Sequence, residues 1–332
     1  MHLTVATRQF KLKKPFTISR GTRTHVSVVE VRLEGEDGQV GRGEAVPYAR
    51  YGETLEDVTA AIQAMGPALA GGLDREALQT AMPAGAARNA LDLAFWDIEA
   101  KRARLRVWEL PAWKALGGPW AKAVTSVYTL SIDTPEAMRL AAADVAERPV
   151  LKVKLQGDEH DPARIRAVRA GAPAARLVVD ANEGWSPEGY AAATAAMAEA
   201  GVELIEQPIH ADADAALAGL ERPVPLCADE SCHTRATLGD LAGRYDMVNI
   251  KLDKTGGLTE ALALRQAAAS AGFRVMVGSM MSSSLGIAPA VALAAGVDLV
   301  DLDPPMLLAE DRTPALSLSG STVYPPLAAL WG

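Results

Sequence analysis

The chain has 332 residues, 49% hydrophobic and 22% charged, with a formal net charge of −8 at pH 7. That length supports one large barrel with a smaller companion domain and a sizeable core, and the apolar content argues against disorder. An acidic balance without a lysine and arginine cluster offers no basic face to nucleic acid or to an anionic membrane surface, which leaves a small polar molecule as the expected partner.

Cys227 and Cys232 are the two cysteines and form no CxxC pair. The start MHLTVATRQFKLKK is charged rather than signal-like, so a cytoplasmic protein is expected. No uncharged apolar stretch nears the roughly 20 residues of a membrane span. The oligomeric state is left open, a homo-oligomer included.

Residues 1–120 read as an α+β capping domain. Three β-type runs lie near Leu3–Lys11, His25–Leu33 and Gln39–Ala45, with the turn Glu36-Asp37-Gly38-Gln39 before the third. Helical periodicity follows over 54–70 and 85–106, the latter with Ala90, Leu91, Ala94, Phe95 and Ile98 on one face. From about Ala123 short apolar runs alternate with Ala-rich helical segments. Strands are expected to end near Leu130, Leu155, Asp180, Ile205, Ala228, Ile250, Val277 and Asp301, with seven helical segments between them. The fold class is therefore α/β, a (β/α)7β TIM-type barrel over 121–310, and a tail of 311–332 is expected to return to the capping domain.

Active sites of such barrels sit at the C-terminal ends of the strands, where the charged residues of this chain fall. Asp180, Glu206 and Asp229 stand about one βα unit (roughly 30 residues) apart, which puts them on neighbouring strands. Any one of them alone suits a helix N-cap, but three on successive units read as ligands of one hard cation. All-oxygen donors favour Mg2+, with Mn2+ as a substitute, over zinc. Lys152 and Lys154 are two apart on a strand and share a face; crowding of like charges and partial desolvation are expected to depress a lysine pKa there. Lys251, four barrel strands away, approaches from the opposite side. Two opposed amine bases flanking one carbon can take a proton from one face and return it to the other, which is racemisation or epimerisation.

The segments PFTISRGTR, PYARYGE, PAGAARNALDLAFWD, VLKVKLQGD, VDANEGW, EQP, CADESCHTR, YDMVNIKLDKTGGLTEALAL and the DLD of the last strand together resemble the enolase superfamily, specifically the L-Ala-D/L-Glu dipeptide epimerases of the bacterial murein-peptide type. The likeness covers nearly the whole chain. It implies Lys154 and Lys251 as the acid/base pair, serving the S and R epimers respectively. It also implies Lys152 as support for the substrate carboxylate, Mg2+ on Asp180, Glu206 and Asp229, and the dipeptide's α-ammonium on Asp301 and Asp303. The substrate's glutamate side chain needs a cation from the capping domain, for which Arg20, Arg23 and Arg50 all qualify. Thr129, Ser279 and Met280 are expected along the pocket. Ser282 departs from the superfamily, many members carrying Glu there, which leaves that wall open.

An N-acylamino-acid racemase, cycloisomerase or dehydratase of the same superfamily is the second enzyme reading, and a catalytically silent ligand-binding barrel the third. Asp301 and Asp303 favour a substrate with a free ammonium, and the retained lysine pair favours catalysis. Elsewhere, Gly41-Arg42-Gly43 and Lys254-Thr255-Gly256-Gly257 lack the full dinucleotide or P-loop pattern and read as turns. His210 and His233 read as capping or surface residues, and the cysteines as packing.

Overall fold

The computed structural model describes residues 1–332. The capping domain begins with an antiparallel sheet of β1 (His2–Ile18), β2 (Gly21–Glu34) and β3 (Val40–Ala45) in that order. Both β1 and β2 run beyond the expected ends. Their outer parts, with a register shift between Lys11 and Phe16, form a hairpin whose tip leaves the sheet. In the outer part of β1 the alternation of Phe10, Leu12, Phe16 and Ile18 is interrupted at Lys14-Pro15, and Gly21–His25 of β2 has no apolar residue, so pairing and the barrel hold this part. Thr17 receives the Ile132 N–H at 3.1 Å and donates its own N–H to Ser131 Oγ at 2.6 Å.

Behind the sheet lies the helix Ala86–Ala103, preceded by Leu55–Ala64, Gly66–Ala70 and Arg75–Ala81. The single helix expected over 54–70 is thus interrupted at Met65. Val29, Val31, Leu33, Ile62, Leu78, Leu91 and Phe95 form this domain's own core. Gly41 and Gly43 are not a turn. They lie in β3 against the helix, where an added Cβ would come within 2.0 Å of the Ala94 and Ala90 carbonyl oxygens.

After a short strand β4 (Val124–Thr125), eight parallel strands follow in sequence order: β5 (Tyr128–Leu130), β6 (Val150–Lys154), β7 (Arg176–Asp180), β8 (Val202–Glu206), β9 (Leu226–Ala228), β10 (Met247–Ile250), β11 (Arg274–Gly278) and β12 (Leu299–Asp301). The sheet closes where the Val127 N–H meets the Val300 carbonyl at 2.9 Å. Full helices occupy most connections. After β8, however, only a 3-10 segment (Ala211–Leu217) forms, and after β9 a 3-10 turn (Arg235–Thr237) leads into Leu238–Leu241. Gly219 with φ +80° and the proline-bearing run Glu221–Pro225 leave no length for a longer helix after β8.

One apolar ring floors the barrel: Val127, Val150, Val178, Leu204, Cys227, Met247, Met276 and Leu299, one from each strand segment. Because side chains alternate along a strand, the next inward layer lies two residues on. It reads Thr129, Lys152, Asp180, Glu206, Asp229, Asn249, Gly278 and Asp301. Two residues further, at the mouth, are Lys154, Lys251, Met280 and Asp303. The C-terminal segment forms a hairpin of β13 (Leu318–Ser319) and β14 (Thr322–Val323) on β4, then packs on the capping helix, Trp331 donating its indole N–H to Leu93 O at 3.1 Å.

Candidate active site

The three carboxylates expected to act together are brought together. Asp180, Glu206 and Asp229 are all buried, and one oxygen from each lies within 4.8 Å of the others. Each has one oxygen fixed by the scaffold. Asp180 Oδ1 accepts from the Asn182 N–H at 2.9 Å, Glu206 Oε1 from Asn249 Nδ2 at 2.9 Å, and Asp229 Oδ1 from Lys254 Nζ at 2.6 Å. The other oxygens face lysines: Lys154 Nζ is 2.5 Å from Asp180 Oδ2, Lys152 Nζ 2.6 Å from Glu206 Oε2, and Lys251 Nζ 2.5 Å from Asp229 Oδ2.

The expected depression of a lysine pKa does not occur in this arrangement. Burial alone would lower Lys152, but Asp301, Glu206 and Asp180 outweigh it and hold the ammonium well above the ordinary range. Burial and Asp229 act likewise on Lys251, which is also raised. The carboxylates respond unequally. Burial, opposed and outweighed by Lys251 and Lys254, leaves Asp229 well below its usual value, whereas burial and the nearby Asp180 push Glu206 up to about 7. Crowding along β6 is only local; the decisive partners, Asp180, Glu206, Asp229 and Asp301, come from four other strand ends.

Above this layer a cavity opens between barrel and cap. Its lining includes Lys154, Lys251, Asp301, Asp303, Thr129, Ser279 and Met280 from the barrel and Phe16, Arg20, Arg23 and Tyr48 from the cap. Ser282 is buried away from it, so the departure at that position does not form the wall. Asp301 and Asp303 differ. Asp301 Oδ2 takes Lys152 Nζ at 2.7 Å, and Asp303 Oδ2 takes the Thr129 N–H at 2.6 Å. Burial and the neighbouring Asp301 push Asp303 up to about 7.

The three candidate arginines separate cleanly. Arg50 is spent on Glu183, with Nε and Nη2 each 2.7 Å from its carboxylate. Arg20 binds Glu230 Oε1 at 2.7 Å, Tyr48 OH at 2.8 Å and Asn182 O at 3.0 Å. Arg23 lines the cavity with its guanidinium over the Tyr48 ring, 5.7 Å from the centroid, and takes part in none of the ion pairs.

Several participants were not foreseen. Lys254, read as part of a turn, is fully enclosed under Asp229 and also donates to Asn249 O at 3.0 Å. The signal was its place three residues after Lys251 at the start of a short helix, Leu252–Thr255, which turns its side chain back towards β9. Asn182 and Glu183 adopt φ of +44° and +68° just past Asp180. That left-handed turn aims the Asn182 N–H at a candidate ligand and its carbonyl at Arg20. Gln207, with φ +36°, offers Oε1 to the Asp229 N–H at 2.9 Å. His210 caps the following 3-10 segment through the Asp212 N–H, and the cysteines are buried and unpaired.

A closed parallel barrel under an α+β cap, with three clustered carboxylates and lysines facing one cavity, defines an enolase-type catalytic architecture. Sequence comparison agrees. Residues 1–111 match the mandelate racemase / muconate lactonizing enzyme N-terminal domain, and residues 136–312 the enolase C-terminal domain-like family. The L-Ala-D/L-Glu epimerase of Escherichia coli K12 is 48% identical over 316 residues, 94% of this chain and 96% of that one. An N-acetyl-D-glutamate racemase of Pseudoalteromonas is 42% identical, covering 88% and 91%. Among solved structures, an Agrobacterium tumefaciens enolase family member with homology to dipeptide epimerases, bound to sodium and L-Ala-L-Glu with an ordered loop, superposes with a TM-score of 0.95 at 50% identity over 100% and 99% of the chains. A dipeptide epimerase of Enterococcus faecalis complexed with Mg and L-Leu-L-Tyr gives 0.89 at 31% identity over 98% and 96%. The chain belongs to the dipeptide epimerase family of the enolase superfamily, and it is an isomerase.

Proposed function

We propose that this protein epimerises the C-terminal residue of L-Ala-D/L-Glu, or of a closely related dipeptide, by proton transfer between Lys154 and Lys251. The cellular role that fits is recycling of murein peptides in the cytoplasm. The observation that carries the reading is that one cavity is lined at once by two lysines from strands four places apart, by Asp301 and Asp303, and by the unpaired Arg23. Lys154 and Lys251 then address the substrate α-carbon from opposite sides. One takes its proton, the C–H electron pair moves into the adjacent carboxylate to give an enolate, and the other returns a proton to the opposite face. Lys152, at the floor, steadies that carboxylate. Asp301 and Asp303 receive the α-ammonium, and Arg23 the side-chain carboxylate.

The residues fit a divalent cation of the Mg2+ kind. Asp180, Glu206 and Asp229 offer oxygen alone, each is oriented by a scaffold donor, and their inner oxygens converge. When bound, the ion supplies positive charge that loosens the carboxylates' hold on the lysine protons and acidifies the α-hydrogen of a carboxylate substrate.

A second reading, racemisation of N-acylglutamate, is favoured by the Pseudoalteromonas relative. The deciding measurement is α-proton exchange in D2O across a panel of L-Ala-L-Glu, its Gln and hydrophobic analogues, and N-acetyl-L-Glu. Fastest exchange at the C-terminal residue of L-Ala-L-Glu is expected; fastest exchange with N-acetyl-L-Glu would replace the dipeptide reading.

A further inference from the structure

Lys152 is engaged three times. Its ammonium lies 2.6 Å from Glu206 Oε2, 2.7 Å from Asp301 Oδ2 and 3.1 Å from Asp180 Oδ2, and the residue is 1% exposed. Of the three contacts, the one to Asp301 is a hydrogen bond, and those to Glu206 and Asp180 are close ion pairs of the same ammonium. For the ammonium to turn towards a substrate carboxylate, the hydrogen bond to Asp301 has to loosen. Asp180 and Glu206 belong to the carboxylate triad beneath. Asp301 alone among the three also borders the cavity, where an arriving cation can compete for it.

Asp303, two residues on and facing the same way, is not shared with any lysine. Its Oδ2 is taken by the Thr129 N–H, and it stands beside Asp301 at the rim. The two acids are therefore not equivalent. Asp303 is braced by backbone, whereas Asp301 is the joint between the ammonium end of the cavity and the lysine that serves the carboxylate end.

We infer that Asp301 is a positioning residue that makes the substrate's own α-ammonium the trigger for Lys152: the ammonium takes over Asp301, and the released lysine turns to the substrate carboxylate. This rests on the dipeptide reading above. A substrate without an ammonium leaves Lys152 tethered to Asp301, so it is penalised in the chemical step and not only in binding. A site that merely attracted the ammonium would penalise KM alone. The coupling is reciprocal, since whatever neutralises Asp301 should free Lys152 equally well.

The test uses propionyl-L-glutamate, which is L-Ala-L-Glu with hydrogen in place of the amino group. In the wild-type enzyme its kcat is expected to lie well below that of the dipeptide, and millimolar ethylammonium, filling the vacated ammonium position, should raise it about fivefold. Asp301→Asn, which no longer binds Lys152 as an ion pair, should raise kcat for propionyl-L-glutamate about tenfold without added ammonium, lower that for L-Ala-L-Glu, and remove the ethylammonium response. The wild-type rescue needs no variant to fold, and melting curves check the variant. If ethylammonium has no effect and Asp301→Asn leaves propionyl-L-glutamate turnover unchanged or lower, the inference is overturned. Wild-type enzyme without activity on L-Ala-L-Glu would instead overturn the dipeptide reading, so the two failures are distinguishable.

Discussion

The barrel mouth and the hairpin that overhangs it hold their functional side chains by different means. In the barrel, parallel register sets Lys154 opposite Asp180 and Asp180 opposite Glu206, and pleating stacks the polar layer two residues above an apolar ring. Lys152, Lys154, Asp180 and Glu206 lie within these paired strands, and Asp229 and Lys251 directly follow them. In the hairpin, Arg20 and Arg23 are three residues apart and have opposite fates. Arg20 ties the tip to Glu230 and to Asn182 O, while Arg23 is left to face the cavity. In the proposed mechanism this difference would separate chemistry, which needs rigid placement, from side-chain selection on an element joined to the barrel through a handful of contacts.

The sharpest way to break that separation is to remove a lysine of the barrel. Lys154→Ala and Lys251→Ala are each expected to abolish epimerisation, a loss on the order of 10³-fold or more, while retaining α-proton exchange in D2O for one substrate epimer only. By the family pattern, Lys251→Ala should keep exchange with the S epimer and Lys154→Ala with the R. Near wild-type epimerisation by either variant would remove the two-base mechanism. Chelation of divalent metal comes next: turnover should vanish in excess chelator and return with Mg2+, and Asp180→Asn should weaken Mg2+ binding in calorimetric titration without unfolding the barrel. Full activity in chelator would mean the triad holds no required ion.

The hairpin side is tested by Arg23→Met. It should lower kcat/KM for L-Ala-L-Glu by about tenfold to a hundredfold while changing the L-Ala-L-Gln value little, because one charge-assisted pair is lost and the lysines are untouched. Arg20→Met should instead reduce both substrates together, since it loosens the hairpin as a whole. If Arg20→Met proves the more selective of the two, the assignment of the arginines is reversed.

The barrel was readable in the sequence because most strands are short apolar runs with a charged residue at or just past their ends, and strand periodicity carries directly into the inward layers. What resisted reading depends on distances between segments. Lys254 looked like turn punctuation, yet its side chain runs beneath the neighbouring strand to Asp229. Gly41 and Gly43 looked like a turn because glycine signals one locally, whereas here the missing Cβ admits a helix backbone. The lysine pKa direction failed because one strand shows Lys152 beside Lys154, while Asp301 and Glu206, which decide the matter, arrive from elsewhere. The choice among Arg20, Arg23 and Arg50 turned on which partners Glu230 and Glu183 had already claimed.

The smallest expected effect probes the rim, where barrel and ammonium position meet. Burial and the adjacent Asp301 push the folded Asp303 pKa up to about 7, against an unfolded carboxyl near 4. A carboxyl raised on folding favours the folded state while protonated, so its contribution declines as pH rises from the unfolded value to the folded one and is constant above that. Asp303→Asn keeps an oxygen for the Thr129 N–H but cannot ionise. Measured without substrate, the melting temperature of the variant relative to wild type should therefore climb between about pH 4 and pH 7, by about 6 °C in total, and level off above. A difference that stays flat across this window would mean that Asp303 titrates as an ordinary surface acid, and that its closeness to Asp301 does not strain the folded site.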